Sequence, residues 1–256
     1  MPKLTQKRHE EILNLLQTRG TVSVSELTTL LDSSESTIRR DLVALDKMGK
    51  LTKVHGGATV NDKQFLQYEP NIEEKLNANV NEKRRIAKYA AAQLQDGDFI
   101  YLDAGTTTLL MIDYLVPKDV SFVTNGIVHA RELSRRGFRT FILGGELKTA
   151  TEAVVGTAAS HNLEKYNFSK AFIGTNGVSV KHGFTTPDGD EAFLKAAAID
   201  RSFVSYVLAD SSKFGLVSTV TFAPLCSSAI VTDALPDPGY ENSTVVKVVP
   251  EETVDE

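Results

Sequence analysis

The sequence predicts an α/β chain in two parts: a small, mostly helical head that ends in a hairpin, and a larger body built on a mainly parallel sheet. Three observations carry that expectation. Residues 1–50 place apolar side chains at helical spacing, punctuated by turn residues. "LTKVHGGATV" sets two β-prone runs around a Gly-Gly pair. From residue 82 onward, short apolar runs alternate with helix-like stretches, and five successive runs end in Gly, Thr, Asn, Asp or Lys.

With 256 residues the chain is long enough for two domains. The expected division is a head over 1–60, a linker over 61–81, a body over 82–250 and an acidic tail over 251–256. No apolar run is long enough to span a membrane, and no basic-then-apolar leader is present. Cys226 is the only cysteine. It cannot form an internal disulfide or a cysteine metal site, so a reducing cytoplasm is expected, with no metal and no cofactor. The net charge of −5 is uneven: residues 1–61 hold nine Lys/Arg against seven Asp/Glu, about +2, which leaves about −7 for the rest. A basic head on an acidic body is a first sign of nucleic-acid binding at one end.

In the head, Ile12, Leu13, Leu15 and Leu16 give a helix over 5–18 its apolar stripe, and Gly20 ends it. Ser23 and Glu26 have capping-box spacing ahead of Leu27, Leu30 and Leu31, so a second helix is expected over 24–32. Asp32-Ser33-Ser34 makes a turn with its own N-cap. In "SESTIRRDLVAL", Leu42 and Leu45 fall within about 40° of Ile38 on a helical wheel. Ser36, Arg40 and Lys47 face the other way, with Thr37 and Arg39 on the flanks. A short helix, a tight turn and a second helix with a basic, hydroxyl-rich face form a helix-turn-helix, whose second helix enters the major groove. Arginine grips phosphate or bonds the edge of guanine with both fork nitrogens, and Ser and Thr reach either. The hairpin over 51–60 then reads as a wing, placing Lys53 and His55 beside the DNA. Its glycines are most simply explained by positive φ.

The linker "NDKQFLQYEPNIEEKLNANVNE" is polar, with a short helical piece expected around 71–77. The body reads as helix 82–94, strand 99–102, helix after "GTTT", strand 120–123, helix 127–136, strand 140–143, helix 156–165, strand 171–173 and helix 190–200. Further strands are expected at 205–208, 229–231 and 245–249. In such sheets ligands bind beyond the carboxyl ends of the strands, and the polar runs fall there. Gly105 lets a backbone approach closely, and the amides and hydroxyls of Thr106, Thr107 and Thr108 suit an anion such as phosphate. No Gly-Lys-Ser/Thr follows, so nucleotide hydrolysis is unsupported. Glu191 and Lys195 are spaced i,i+4, which by itself reads as a surface ion pair.

"ESTIRRDLVALDKMGKLTKVHGGA" resembles the head of DeoR-type bacterial repressors. "YLDAGTTT", "VTNG", "LGGELK", "FIGTNGV", "GFTTPDGDEAFLK" and "VLADSSKFG" resemble the effector domain of that family. Within it, "YLDAGTTTLLMIDYL" and "GFTTPD" are most similar to the fructose-operon branch. The resemblance implies a winged helix-turn-helix followed by a sugar-phosphate-isomerase-like α/β domain. It also implies a homo-oligomer on double-stranded operator DNA, and a phosphorylated sugar, expected to be fructose 1-phosphate, as inducer. Carried over by residue, the phosphate loop is Gly105 to Thr108. Asp103, Thr124, Asn125, Gly144, Thr175, Asn176, Gly177, Thr185, Glu191, Lys195 and Lys213 complete the effector site.

The rival expectation is an isomerase with a DNA-binding head. Isomerisation needs a poised base and a polarising group, for which Asp103, Glu191 and Lys213 are available. Where the similar isomerases carry an acidic loop, this chain has Thr175-Asn176-Gly177, and Asn cannot act as a base. Sensing without turnover, with no catalytic residue, is therefore the preferred expectation.

Overall fold

A computed structural model describes residues 3–60, 65–66, 71–116, 119–249 and 251. It divides into two compact units, 1–65 and 66–256. Residues 61–64 and 67–70 of the expected linker, and 252–256 of the expected tail, lie outside the described residues.

The first unit holds α1 (Lys3–Arg19), β1 (Thr21–Ser23), α2 (Val24–Leu30), α3 (Glu35–Lys47), β2 (Thr52–Val54) and β3 (Gly57–Thr59). The three strands form an antiparallel sheet in the order β1-β3-β2. Its core is the stripe each helix turns inward: Ile12 and Leu16, Leu27, and Ile38, Leu42 and Leu45, closed by Leu51 and Ala58 of the hairpin. Ser23 Oγ accepts from Glu26 N at 3.1 Å and Ser34 Oγ from Thr37 N at 3.3 Å, so both short helices start on a hydroxyl cap. Glu26 turns its carboxylate to Arg19 instead of back to its own cap, leaving the expected capping box half made. The two wing glycines have different causes. Gly56 has φ +84°, as expected, but a Cβ on Gly57 would stand 2.1 Å from the Val22 carbonyl oxygen, so Gly57 is required by the close approach of β1.

The second unit begins with α4 (Ile72–Asn77) and α5 (Val80–Ala92), so the described end of the expected linker is helical. Then come β4 (Phe99–Leu102), α6 (Thr106–Met111), β5 (Ser121–Thr124), α7 (Ile127–Arg135) and β6 (Arg139–Ile142). After β7 (Glu146–Lys148), β8 (Ala153–Val155) and α8 (Thr157–Leu163), the long strand β9 (Phe168–Gly174) leads into β10 (Gly177–Ser179) and β11 (Gly183–Thr186). The unit closes with α9 (Gly189–Asp200), β12 (Ser202–Leu208), β13 (Val220–Ala223), β14 (Ala229–Thr232) and β15 (Val246–Val248).

Seven strands form one sheet in the order β15-β14-β12-β9-β4-β5-β6, with every pairing parallel. Alternate residues of the central strands bury on opposite faces. Tyr101, Val123, Ala171, Ile173 and Val207 join one core under α8 and α9. Ile100, Leu102, Phe122, Phe172 and Leu208 join the other under α5, α6 and α7. A sheet covered on both faces demands continuous apolar strands, which is why these runs are readable from sequence. Five strands were not expected: the β7–β8 pair and the antiparallel sheet β10-β11-β13. They are only three or four residues long, too short to show a period. Among the described residues no helix is long and apolar enough to cross a membrane.

Candidate functional site

The head offers one face. Ser36, Arg39, Arg40 and Lys47 are exposed on α3, Thr37 is half-buried beside them, and Lys53 and His55 are exposed on the wing. Part of this face is already engaged. Arg39 bonds Glu35 one turn back, Nε at 2.9 Å and Nη2 at 2.6 Å. Among the described residues no carboxylate pairs with Arg40. Lys53 N donates to Asp46 Oδ1 at 3.0 Å, tying the wing to α3. The sequence reading passed over Asp41, which is buried on α3 next to Arg40. It accepts from Arg8 Nε at 2.5 Å and sits 3.1 Å from His9 Nε2, both on α1. The bond from Asp41 holds the Arg8 guanidinium above its ordinary pKa.

In the second unit the carboxyl ends of β4, β9 and β12 open into a cavity. Of the expected effector residues, Gly105, Thr106, Thr107, Thr175, Asn176, Glu191, Lys195 and Lys213 line it. Thr107 is over nine-tenths buried, and among the described residues its hydroxyl has no partner. The first turn of α6, whose leading amides have no partner within the helix, borders this space.

Seven expected residues do not line the cavity, and for six of them a physical reason is visible. Asp103 lies beneath it, accepting from Gly174 N at 2.9 Å and from Lys195 Nζ at 2.5 Å. The Thr108 hydroxyl is turned inward, accepting from Gly105 N at 2.9 Å and donating to the Asp103 carbonyl at 2.6 Å. Asn125 Oδ1 accepts from Ala104 N at 2.9 Å and Tyr101 OH at 3.1 Å, so it braces the loop from behind. Thr124 Oγ1 accepts from Gly126 N. Thr185 Oγ1 accepts from Ser218 N at 2.9 Å inside the antiparallel sheet. Gly177 is packed where a Cβ would meet the Leu216 carbonyl at 2.4 Å. Gly144 is exposed past β6, next to Asn162 and away from the cavity.

The cavity also has walls that the sequence reading missed. Lys75 of α4 and Lys83 of α5 line it with Lys213. Lys83 is 4 % exposed and donates to the Lys75 carbonyl oxygen. Burial pushes its ammonium below the ordinary lysine value; Asp210 opposes this, while Lys213 and Lys75 add to it. Asp210 is held by Asn79 Nδ2 at 2.8 Å and by Ser212 N at 3.1 Å. Lys83 carried a sequence signal, since it shares a helical face with the buried Ile86, Ala87 and Ala90.

Glu191 and Lys195 are not the surface pair their spacing suggests. Both are buried. Lys195 goes to Asp103, while Glu191 Oε1 accepts from Lys148 Nζ at 3.0 Å and Thr151 Oγ1 at 2.8 Å. Lys148 also meets Asp188 at 3.1 Å. Burial alone would raise the Glu191 pKa, but Lys195, Lys148 and the two hydrogen bonds outweigh it and hold the carboxyl below its ordinary value. The cavity thus has a cationic wall of lysines beside the threonine loop, and a hydrogen-bonding wall of Asn176, Thr175 and a fixed carboxylate–lysine network.

A winged helix-turn-helix and an α/β domain with a charged cavity at its strand ends define a DNA-binding transcriptional regulator with a sensor domain. Residues 8–64 match the DeoR-like helix-turn-helix domain, and residues 78–234 the DeoR C-terminal sensor domain. The chain is 45 % identical over 251 residues to an uncharacterized HTH-type transcriptional regulator FruR of Bacillus subtilis, covering 96 % of this chain and 99 % of that one. It is 36 % identical over 237 residues to the lactose phosphotransferase system repressor of Streptococcus mutans, covering 91 % and 93 %. The protein belongs to the DeoR family of transcriptional repressors. Ribose 5-phosphate isomerase A of Neisseria gonorrhoeae superposes at a TM-score of 0.40 with 17 % identity over 60 % of this chain and 57 % of that one, too loose a fit to carry over any activity.

Proposed function

We propose that this repressor senses a phosphorylated sugar, fructose 1-phosphate, and leaves its operator when the sugar binds. The observation that carries the reading is the convergence of Lys75, Lys83 and Lys213 on the cavity that the Gly105–Thr107 loop opens into. Burial is the main cause of the lowered Lys83 pKa and the Lys213 and Lys75 ammonium groups add to it against Asp210, so an anion in the cavity would favour the charged form of Lys83. The loop amides and the unpartnered Thr107 hydroxyl supply directed donors for the same phosphate. Across the cavity, Asn176 and the Glu191 network suit sugar hydroxyls. The names of the FruR and lactose phosphotransferase system relatives agree with a sugar-derived ligand.

No turnover is part of this reading. A catalytic base needs a pKa near the working pH and room to take a proton. Glu191 is held below its ordinary value and accepts two hydrogen bonds on one oxygen. Asp103 is bonded to Lys195 and to the backbone.

On the DNA side, α3 enters the major groove with Arg39, Arg40, Ser36, Thr37 and Lys47, and Lys53 and His55 of the wing follow the backbone. The protein acts as a homo-oligomer on repeated half-sites. Sugar phosphate binds one conformation better, and DNA affinity falls by the same coupling factor. Calorimetry with fructose 1-phosphate, fructose 6-phosphate and free fructose tests the sensor. Selective binding of fructose 1-phosphate, lost in Lys83→Met, is the expected result. Equal binding of all three sugars would refute both the phosphate site and the fructose assignment.

A further inference from the structure

His129 is a polar side chain that the reading above leaves unused. It lies on the buried stripe of α7, four residues before Leu133, with 5 % of its surface exposed. Its ring packs against the Gly105 loop and borders the cavity. Nε2 stands 3.0 Å from the Gly105 carbonyl oxygen and 3.2 Å from Thr108 Oγ1. A carbonyl oxygen only accepts, so Nε2 must carry the proton, and Nδ1 is the bare nitrogen. Nδ1 faces Gly126, where a Cβ would stand 2.4 Å from it. The ring can therefore sit here only because residue 126 has no side chain.

The same Gly105 carbonyl also accepts from Leu109 N at 2.9 Å, the first backbone bond of α6. Beside that helix bond the carbonyl is within reach of two further donors, the imidazole and the Thr108 hydroxyl at 2.8 Å, and the hydroxyl is shared with the Asp103 carbonyl at 2.6 Å. These donors fix the peptide plane from which the Thr106 and Thr107 amides continue into the cavity. Without the imidazole the carbonyl loses one buried donor and is held only by Leu109 N and a Thr108 hydroxyl shared with Asp103, so the loop amides are aimed less firmly.

We infer that His129 is a positioning residue for anion binding: its neutral Nε2–H holds the Gly105 carbonyl, and so aims the Thr106–Thr107 amides and the Thr107 hydroxyl at the phosphate. The inference rests on the phosphate-site reading given above. Burial supports it by keeping the ring neutral, with its pKa pushed down to about 4 despite the opposing effects of Asp103 and the Gly105 bond. The proton on Nε2 therefore stays single through the neutral range.

The test uses the full-length protein and two substitutions. Fructose 1-phosphate and inorganic phosphate are titrated into wild type, His129→Leu and His129→Gln, whose amide places an N–H close to the position of Nε2. Affinity for both probes should fall roughly tenfold in His129→Leu and return to within about threefold of wild type in His129→Gln. Free fructose should show no such pattern. If leucine binds as wild type does, or glutamine is as poor as leucine, the donor has no role. Because the leucine variant risks misfolding, nitrogen NMR of histidine-labelled wild type provides a second measurement. It should show the Nε2–H tautomer from pH 5 to 8, with a shift on adding phosphate; an Nδ1–H tautomer would overturn the inference. Wild type that binds neither phosphate probe would instead remove the phosphate site itself, and the role of His129 with it.

Discussion

The head places five of its seven expected DNA-facing residues within a single thirteen-residue helix, α3. The sensor domain draws its cavity from residues 72 to 213, on five helices (α4, α5, α6, α7 and α9), the ends of β9 and β12 and the turns that follow the strands. In the head, function follows from the helical period: once Ile38, Leu42 and Leu45 point inward, Arg40 must point out. In the sensor domain, Lys83 and Lys213 are 130 positions apart in sequence and meet only because β4, β9 and β12 are parallel neighbours. The contrast teaches that a site on one helix can be read from spacing, whereas a site at strand ends can be read only as a set of candidates.

The largest expected effect separates the two regions. Thr107→Glu puts a carboxylate in the phosphate position and should weaken fructose 1-phosphate binding by at least roughly a hundredfold. Operator binding by the ligand-free protein should stay as it is. Calorimetry and gel-shift titrations on the same preparation check this, and loss of both activities would mean that the two regions do not act as separable parts.

Acid sensitivity belongs to the sensor domain. The His129 imidazole titrates at about 4 in the folded chain against an ordinary 6.5. Between these values the unfolded chain holds the proton and the folded chain does not. Stability is therefore complete above pH 6.5 and declines as pH falls toward 4, by on the order of 3 kcal/mol in all. The depressed Glu191 carboxyl adds its own loss only below its ordinary 4.5. Urea unfolding between pH 6.5 and 4.5 isolates the histidine, and His129→Gln should flatten that limb.

Within the head, Arg40→Ala should weaken operator binding roughly ten- to a hundredfold. Arg39→Ala should cost less, because Arg39 must first leave Glu35. Equal losses would show that the Glu35 bond does not persist in solution. The smallest effect is expected for Glu35→Gln. The pair is exposed, so stability should stay within about 0.5 kcal/mol of wild type by thermal unfolding. Non-specific DNA binding should rise slightly with one fewer negative charge on that face.

What the sequence reading missed has a common form. Asp41 sits among Ile38, Leu42 and Leu45, Lys83 among Ile86, Ala87 and Ala90, and His129 one turn from Leu133. Each is a polar side chain on the apolar stripe of a helix, where burial without a partner is costly. The period that marks the stripe also marks these residues as needing partners inside, and that signal was available. Thr124, Asn125, Gly177 and Thr185 stand at strand ends, where the sequence alone reads them as ligand contacts. Their hydrogen bonds and tight packing go to neighbouring backbone, a distinction that spacing does not carry.

By itself the sequence determined the order of the helices and of the seven strands of the main sheet, the burial of that sheet on both faces, the outward face of α3 and the loop after β4. Each rests on interactions within a few residues, or on an apolar period that survives without coordinates. Only the tertiary structure decided which charges meet: Lys195 with Asp103, Glu191 with Lys148, Lys83 beside Lys213. Those partners lie far apart along the chain, and sheet register brings them together. The energy of a buried charge depends on that final neighbourhood rather than on its own identity.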